Sequence, residues 1–453
     1  MSDLVERVSE VLPSVRRDLE ALVRIESVWA DKERRGEVQR SAEAVAGLLT
    51  DAGFPDVRIV SEGGGAPAVI ARHPAPPGAP TVLLYAHHDV QPEGDPAQWR
   101  TAPFEPTERD GRLYGRGSAD DKAGIATHLA AFRAHGGKPP VGVTVFVEGE
   151  EESGSPTLAQ LLSAHRDLLA ADVIVIADSD NWSAEIPALT VSLRGLVDCV
   201  VEVVTLDHGL HSGIWGGVVP DALTVLVRVL ASLHDDDGNV AVAGLYEGTA
   251  ADVDRGPDWV RQESGLLDGV GQIGSGSVVQ RLWAKPAITV IGIDATPIEK
   301  SSNTLIPSAR AKVSMRVAPG GDATAHLDAL TRHLRDHTPW GAHVAVTPGD
   351  IGQPYAIDAS GPVYETVRAV FTTAWGHKPV DMGMGGSIPF IAEFAAAFPD
   401  ATILVTGVED PATQAHSINE SLHLGVLAKA ATAEALLLAA LGDQTSAGSR
   451  SGA

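Results

Sequence analysis

The sequence predicts an α/β fold: a mostly parallel sheet flanked by helices, with an α+β unit inserted into it. Three observations predict this. Apolar runs of strand length alternate with helical periods between residues 3 and 177, the rhythm of repeated βαβ units. Between about residues 190 and 350 long strands come in pairs and the rhythm changes. From residue 362 the helix–strand alternation returns, so the middle reads as an insertion.

Taken in order, residues 3–27 carry Val5, Val8, Leu12, Val15, Leu19 and Leu22 at spacings of three and four, which predicts a helix. Residues 39–52 predict a second helix, closed by Gly53. Strands follow at 68–72 and 81–86, a helix at 122–135, a strand at 141–147, a helix at 157–170 and a strand at 172–177. In the insertion, residues 190–204 read as one long strand, then a helix at 221–234, irregular sequence to about 285, strands at 288–294 and 309–318, a helix at 326–337 and a strand at 342–346. Helices at 362–375 and 389–396, a strand at 401–406 and a helix at 421–441 complete the chain. The expected division is therefore a first domain in two parts, 1–191 and 354–442, and an inserted domain at 192–353. The polar, small-residue end at 443–453 is expected to be disordered.

Composition excludes several function classes. The 34 basic against 59 acidic residues give a formal charge of −25, which repels nucleic acid and anionic membrane surfaces. Cys199 is the single cysteine and sits in an apolar run; it predicts a buried thiol, no disulfide and a reducing compartment. The N-terminal helix lacks the basic start and apolar stretch of a signal peptide. No run is expected to reach the ~18–20 apolar residues of a bilayer span. A cytoplasmic protein, with neither membrane nor nucleic-acid partner, is the expectation.

Five polar clusters follow apolar strands or sit at loop–helix joints, where open α/β sheets bind ligands. In Tyr85-Ala86-His87-His88-Asp89-Val90-Gln91-Pro92 a period of two puts His87 and Asp89 on one face. A metal-bound imidazole commonly donates its second N–H to a carboxylate, and Asp89 can be that acceptor; solvated loop residues are the plain alternative. Gly115-Arg116-Gly117-Ser118-Ala119-Asp120-Asp121-Lys122 lacks the spacing of a nucleotide loop. Ser118 or Asp120 can cap the following helix, or a carboxylate can be shared by two cations. Glu148-Gly149-Glu150-Glu151-Glu152 caps a strand rather than decorating a helix face, so one acid can ligate a metal while its neighbour serves as base. Asp178-Ser179-Asp180 offers two candidate ligands. His416 lies in Gln414-Ala415-His416-Ser417-Ile418-Asn419-Glu420, where a structural histidine is the ordinary reading. Together these clusters supply an O/N donor set suited to Zn²⁺, Mn²⁺ or Co²⁺.

In chain order, HxD, GRGxxDDK, EGEEESGS, IADSD, LHSG, GGSIP and AHSxNE resemble the dinuclear-zinc family of carnosinase-like dipeptidases. Aminoacylase, acetylornithine deacetylase, succinyl-diaminopimelate desuccinylase and the glutamate carboxypeptidases are related to it. The likeness runs from about residue 80 to 425, and YxHxDVQP with EGEEESGS is most similar to the dipeptidase branch. The resemblance implies a zinc-peptidase-like catalytic domain with an inserted lid that also forms a homodimer. It implies two divalent ions per chain, zinc first and Mn²⁺ or Co²⁺ also suited. His87 and Asp178 would bind one ion, Glu152 and His416 the other, and Asp120 both. Glu151 would be the general base and Asp89 would orient His87. His211 in Leu210-His211-Ser212-Gly213 matches a histidine that stabilises the oxyanion in the partner's site. Arg316 matches an arginine that binds the substrate carboxylate, and Thr304 and Ser387 match further substrate contacts.

The implied reaction is metal-dependent hydrolysis of a dipeptide or short-peptide amide bond. N-acyl-amino-acid deacylation by the same centre is the alternative. The family often reads Arg-Glu-Gly-Gly-Ser-Ile-Pro where this chain has Gly383-Met384-Gly385-Gly386-Ser387-Ile388-Pro389, so two charged groups are replaced and a less polar pocket is expected.

Overall fold

The computed structural model describes residues 2–385 and 389–448. The chain forms two compact units. The first contains the chain up to Val191, Ile357–Met382 and the chain from Pro389 onward; the second contains Ser192–Ala356 and the segment beginning at Gly383. Sequence had assigned that last segment to the first domain. Hydrogen bonds explain its place: Arg194 donates its backbone N–H to Met384 O at 3.2 Å and its side-chain Nε–H to Gly385 O at 3.1 Å.

The first unit is built on a six-stranded sheet in the order Asp56–Val60, Ala68–His73, Gly142–Glu148, Thr81–His87, Val173–Ile176, Thr402–Val405. The last four strands are mutually parallel, and the first two run antiparallel at one edge. Parallel strands are covered on both faces and read as near-continuous apolar runs, which is the pattern of Thr81–His87 and Gly142–Glu148, buried almost throughout. Val82, Leu84 and Ala86 share a core with residues of the helices Ser2–Val23, Lys122–Ala134 and Leu424–Gly448. On the opposite face the Tyr85 ring meets Phe146, Phe390 and Phe394. Each such side chain, fully buried, contributes ~1.5–3 kcal/mol, and the sum holds the strand ends in fixed register.

Several element bounds differ from expectation. The helix expected at 157–170 is two short ones, Leu158–Ala164 and Arg166–Leu169; His165, between them, meets Glu62 at 3.1 Å. The single strand expected at 190–204 is broken at Arg194 into Ala188–Leu193 and Gly195–Val204. The last helix continues to Gly448 instead of ending near 441, so the expected disordered tail is helical through 448. Within that helix Leu424–Asp443 has the length and hydropathy of a membrane span, which corrects the expectation that no run approaches one. Its Val426, Leu427, Ala431, Leu437, Leu438 and Leu441 are nevertheless buried in the core of the first unit.

The second unit is a four-stranded antiparallel sheet in the order Ala287–Asp294, Ser308–Val317, Gly195–Val204, His343–Gly352. Alternation places Val197, Cys199, Val201 and Val203 with Ala309, Ala311, Val313 and Met315 on one face, against the helices Ala222–Ala231 and Ala323–Asp336. Cys199 is a buried free thiol, pushed up to about 11 by burial and by Asp198. Arg310, Lys312, Ser314 and Arg316 occupy alternate positions on the other face.

Candidate metal centre

Strand order gathers three of the five clusters. Gly142–Glu148, Thr81–His87 and Val173–Ile176 are adjacent and parallel, with His87 in register with Glu148. Their carboxyl ends therefore deliver His87, Glu151, Glu152 and Asp178 to one place. His87 Nε2 lies 3.9 Å from both Glu151 Oε2 and Asp178 Oδ2.

Asp120 arrives from the loop before Lys122–Ala134. The cap of that helix is Asp121, whose Oδ1 accepts Gly124 N–H, not Ser118 or Asp120 as expected. Asp121 Oδ2 also accepts the His87 backbone N–H. With capping done by its neighbour, Asp120 turns both oxygens to imidazoles: Oδ1 is 3.1 Å from His87 Nε2 and Oδ2 is 3.0 Å from His416 Nε2. His416 Nε2 is also 3.1 Å from Glu152 Oε2. His87, Glu151 and Asp178 form one group of possible ligands, and His87, Asp120 and Glu152 another, with ligand atoms within 4.8 Å in each. Asp180, the alternative to Asp178, is in neither group and bridges Glu409 through the backbone.

Electrostatics mark the cluster as unfinished without cations. Burial, reinforced by the neighbouring acids, raises Glu151 well above the carboxylate range, and burial pushes Asp178 up to about 7. Burial also acts against Asp120, but bonds to His416 and His87 outweigh it and hold this carboxyl below its usual range. Asp120 and Glu152 push His416 up to about 11. The positive groups acting on these acids are the two imidazoles. Buried acids whose positive neighbours are two imidazoles form an O/N donor set of the size and kind that fits divalent ions.

Asp89 meets the His87 ring and has a second contact set besides. The His87 Nδ1 partner is the Asp89 backbone carbonyl, at 3.0 Å, with the carboxylate at 3.5 Å. Asp89 Oδ1 and Oδ2 also accept the backbone N–H groups of Glu151 and Glu152, so Asp89 fixes the turn carrying those acids.

Sequence reasoning gave no role to Glu420 or Gln91. Glu420 is wholly buried; Oε2 accepts Gly117 N–H and Arg116 Nη1–H, and Oε1 accepts Ala119 and Asp120 N–H. One side chain thereby clamps the Asp120 loop to the His416 loop. Gln91 donates its backbone N–H to Glu152 Oε1 and its amide to Oε2 at 2.8 Å. The signal available in sequence was position alone: each lies in a motif already singled out.

The remaining expected residues lie in the second unit or beyond description. His211 and Thr304 are cross-strand partners in a short antiparallel ladder. His211 is exposed, and its Nδ1 accepts Gly213 N–H. Arg316 is half-buried on Ser308–Val317. Ser387 is outside the described residues.

Residues 83–440 match the model of peptidase family M20/M25/M40. The chain belongs to that family. Among curated proteins, a cysteinylglycine-S-conjugate dipeptidase of Corynebacterium striatum is 37% identical over 375 residues, 80% of this chain and 82% of the relative. The human Beta-Ala-His dipeptidase is 30% identical, covering 79% of this chain and 74% of the relative. A Cys-Gly metallodipeptidase of Saccharomyces cerevisiae is 27% identical over 94% of each chain. Human carnosine dipeptidase 1 shares the fold at a TM-score of 0.79, 24% identity and 98% coverage of both chains. This M20-family chain is accordingly an enzyme, a metallopeptidase-type hydrolase of amide bonds, and it groups with the dipeptidase branch.

Proposed function

We propose that this M20 peptidase hydrolyses dipeptides of the Cys-Gly type, free or S-substituted, at a centre of two divalent ions. The observation that carries the reading is Asp120, which offers one oxygen beside His87 and the other beside His416. On this reading His87 and Asp178 hold one ion, Glu152 and His416 the second, and Asp120 spans both. Zinc suits the donors best, with Mn²⁺ and Co²⁺ as the other candidates. Bound divalent ions supply Lewis acidity, lowering the pKa of water and polarising the scissile carbonyl.

The chain's own residues do the rest. Glu151 takes a proton from the attacking water and hands it to the departing amine; its buried setting favours holding that proton. Asp89 keeps Glu151 and Glu152 in place through their amides. Arg316 receives the substrate carboxylate, with Thr304 and Ser387 as further substrate contacts. His211 supports the oxyanion in a partner subunit. A homodimer through the second unit accompanies this role, supported by the exposed Val290, Ile291 and Ile293 on the edge strand Ala287–Asp294. A cytoplasmic location accords with the lone buried thiol. Cys-Gly is favoured over Beta-Ala-His because the relative at 37% identity acts on cysteinylglycine conjugates, and because Gly383 and Met384 carry no charge.

Metal-stripped protein, reconstituted with Zn²⁺, Mn²⁺ or Co²⁺, is to be assayed on Cys-Gly, an S-alkyl Cys-Gly, Beta-Ala-His and N-acetyl amino acids. Metal-dependent cleavage of the cysteinylglycines is expected. Preference for N-acetyl amino acids would replace this reading with the deacylase, and inertness toward the whole panel would remove both.

A further inference from the structure

Residues 190–204 have the composition of one strand, yet the strand breaks at Arg194. The break serves the side chain. Arg194 is only 8% exposed. Its Nε–H donates to Gly385 O at 3.1 Å, and its Nη1 to the carbonyls of Arg281 and Lys285 at 3.5 and 3.4 Å. Gly385 lies so close that a Cβ there would sit 2.9 Å from Arg194 Nη2. The guanidinium thus pins two segments, 281–285 and the one leading to Ser387, onto the end of the sheet.

Its charge is not met by an acid among the described residues that contact it. Carbonyl dipoles satisfy N–H groups but leave the net charge of a buried cation unbalanced. Elsewhere on the same sheet face the cations have acids: Arg310 pairs with Asp294 at 2.5 Å and Lys312 with Asp198 at 3.0 Å. Arg316 is opposite Leu196 and Val317 opposite Gly195, so residue 194, two before Leu196, falls on the Arg316 face. Burial, and then the Arg316 charge, push Arg194 down to about 10.

We propose that Arg194 is a positioning residue for substrate selection, adding its positive charge to the place where Arg316 receives the free α-carboxylate of a dipeptide. The proposal rests on the assignment of Arg316 given above. It makes the second unit a reader of an unblocked carboxyl end, through one arginine that meets the carboxylate and one behind it. Lysine is a poor replacement, because a point charge on a flexible stem cannot span three carbonyls in a fork.

The test compares Cys-Gly with Cys-Gly amide, which lacks the carboxylate, in wild type, Arg194→Gln and Arg194→Lys, with folding checked by circular dichroism. For Arg194→Gln, KM for Cys-Gly is expected to rise about tenfold, as for loss of a charge-assisted contact, while kcat and the amide's kcat/KM stay unchanged. Arg194→Lys is expected to fall between the two, and decides alone if the glutamine variant does not fold. Equal losses on acid and amide would reduce Arg194 to a fold-holding residue and overturn the proposal, as would no change on either. Wild-type protein that cleaves neither compound would instead sink the dipeptidase reading, and this proposal with it.

Discussion

The first unit gathers buried acids around Asp120, and the second places two guanidiniums, one buried and one half-buried, at one end of its sheet. Around Asp120, four carboxylates face one another with two imidazoles as their positive neighbours. Around Arg194, two guanidiniums share a sheet end, and carbonyls rather than carboxylates hold the inner one. Ordinary structural charges in this protein do not look like either place. The fully buried Arg116–Glu420 pair, at 2.8 Å, has each acid oxygen engaged by backbone amides as well. A buried charge completed within the chain is costly to unpair. One left incomplete suits an incoming group: cations in the first unit and, on the proposal above, a carboxylate in the second.

The largest expected effect breaks the acid centre at its base. Glu151→Gln should lower kcat about 10³–10⁴-fold, the upper range for general base catalysis, while metal content by mass spectrometry stays near two ions per chain. Full activity in that variant would remove Glu151 from the mechanism. In the second unit, His211→Ala should lower kcat about 10²–10³-fold, as for an oxyanion donor. Its melting temperature should not move, because the ring is exposed and its Nδ1 accepts Gly213 N–H from its own turn. A large fall in stability without a change in kcat would reverse that assignment.

Two smaller effects sharpen the contrast between completed and incomplete charge. Glu420→Gln turns an NH₂ toward backbone donors and strands Arg116, so it should loosen the Asp120 loop. Metal affinity by titration calorimetry should fall about 10–100-fold, the usual cost of losing a residue that supports ligands; unchanged affinity would make the clamp purely structural. In metal-stripped protein the centre holds protons that the unfolded chain releases. Asp178 stays protonated up to about pH 7, against 3.8 for an ordinary aspartate, and His416 up to about 11, against 6.5. Stability from these groups is therefore present at low pH and lost as pH rises through those windows. The melting temperature of metal-stripped protein should drop from pH 6 to pH 9, and added Zn²⁺ should flatten the profile. A stripped protein more stable at pH 9 than at pH 6 would contradict the proton-filled centre.

Local pattern carried much of this. A continuous apolar run located the strand leading into His87, and a cluster of acids beyond an apolar strand located Glu151 and Glu152. Motif order brought in Asp178 and His416, which no local pattern distinguished from loop residues. Three things escaped. The break at Arg194 is invisible because apolar strand composition continues on both sides of it. The capping role of Asp121, rather than Asp120, depends on which carboxylate meets Gly124 N–H. The clamp by Glu420 spans three hundred residues of chain.

The sequence by itself determined which strands would be buried, where they would end and which chemistry could gather there, because hydrophobic period and turn residues act over a few neighbours. Only the tertiary structure decided that Asp120 faces two imidazoles, that Asp89 grips the 151–152 turn and that Arg194 is held by carbonyls beside a second arginine. Those outcomes depend on which distant groups share a low-dielectric space, and charge interactions there are set by three-dimensional distance, not by separation along the chain.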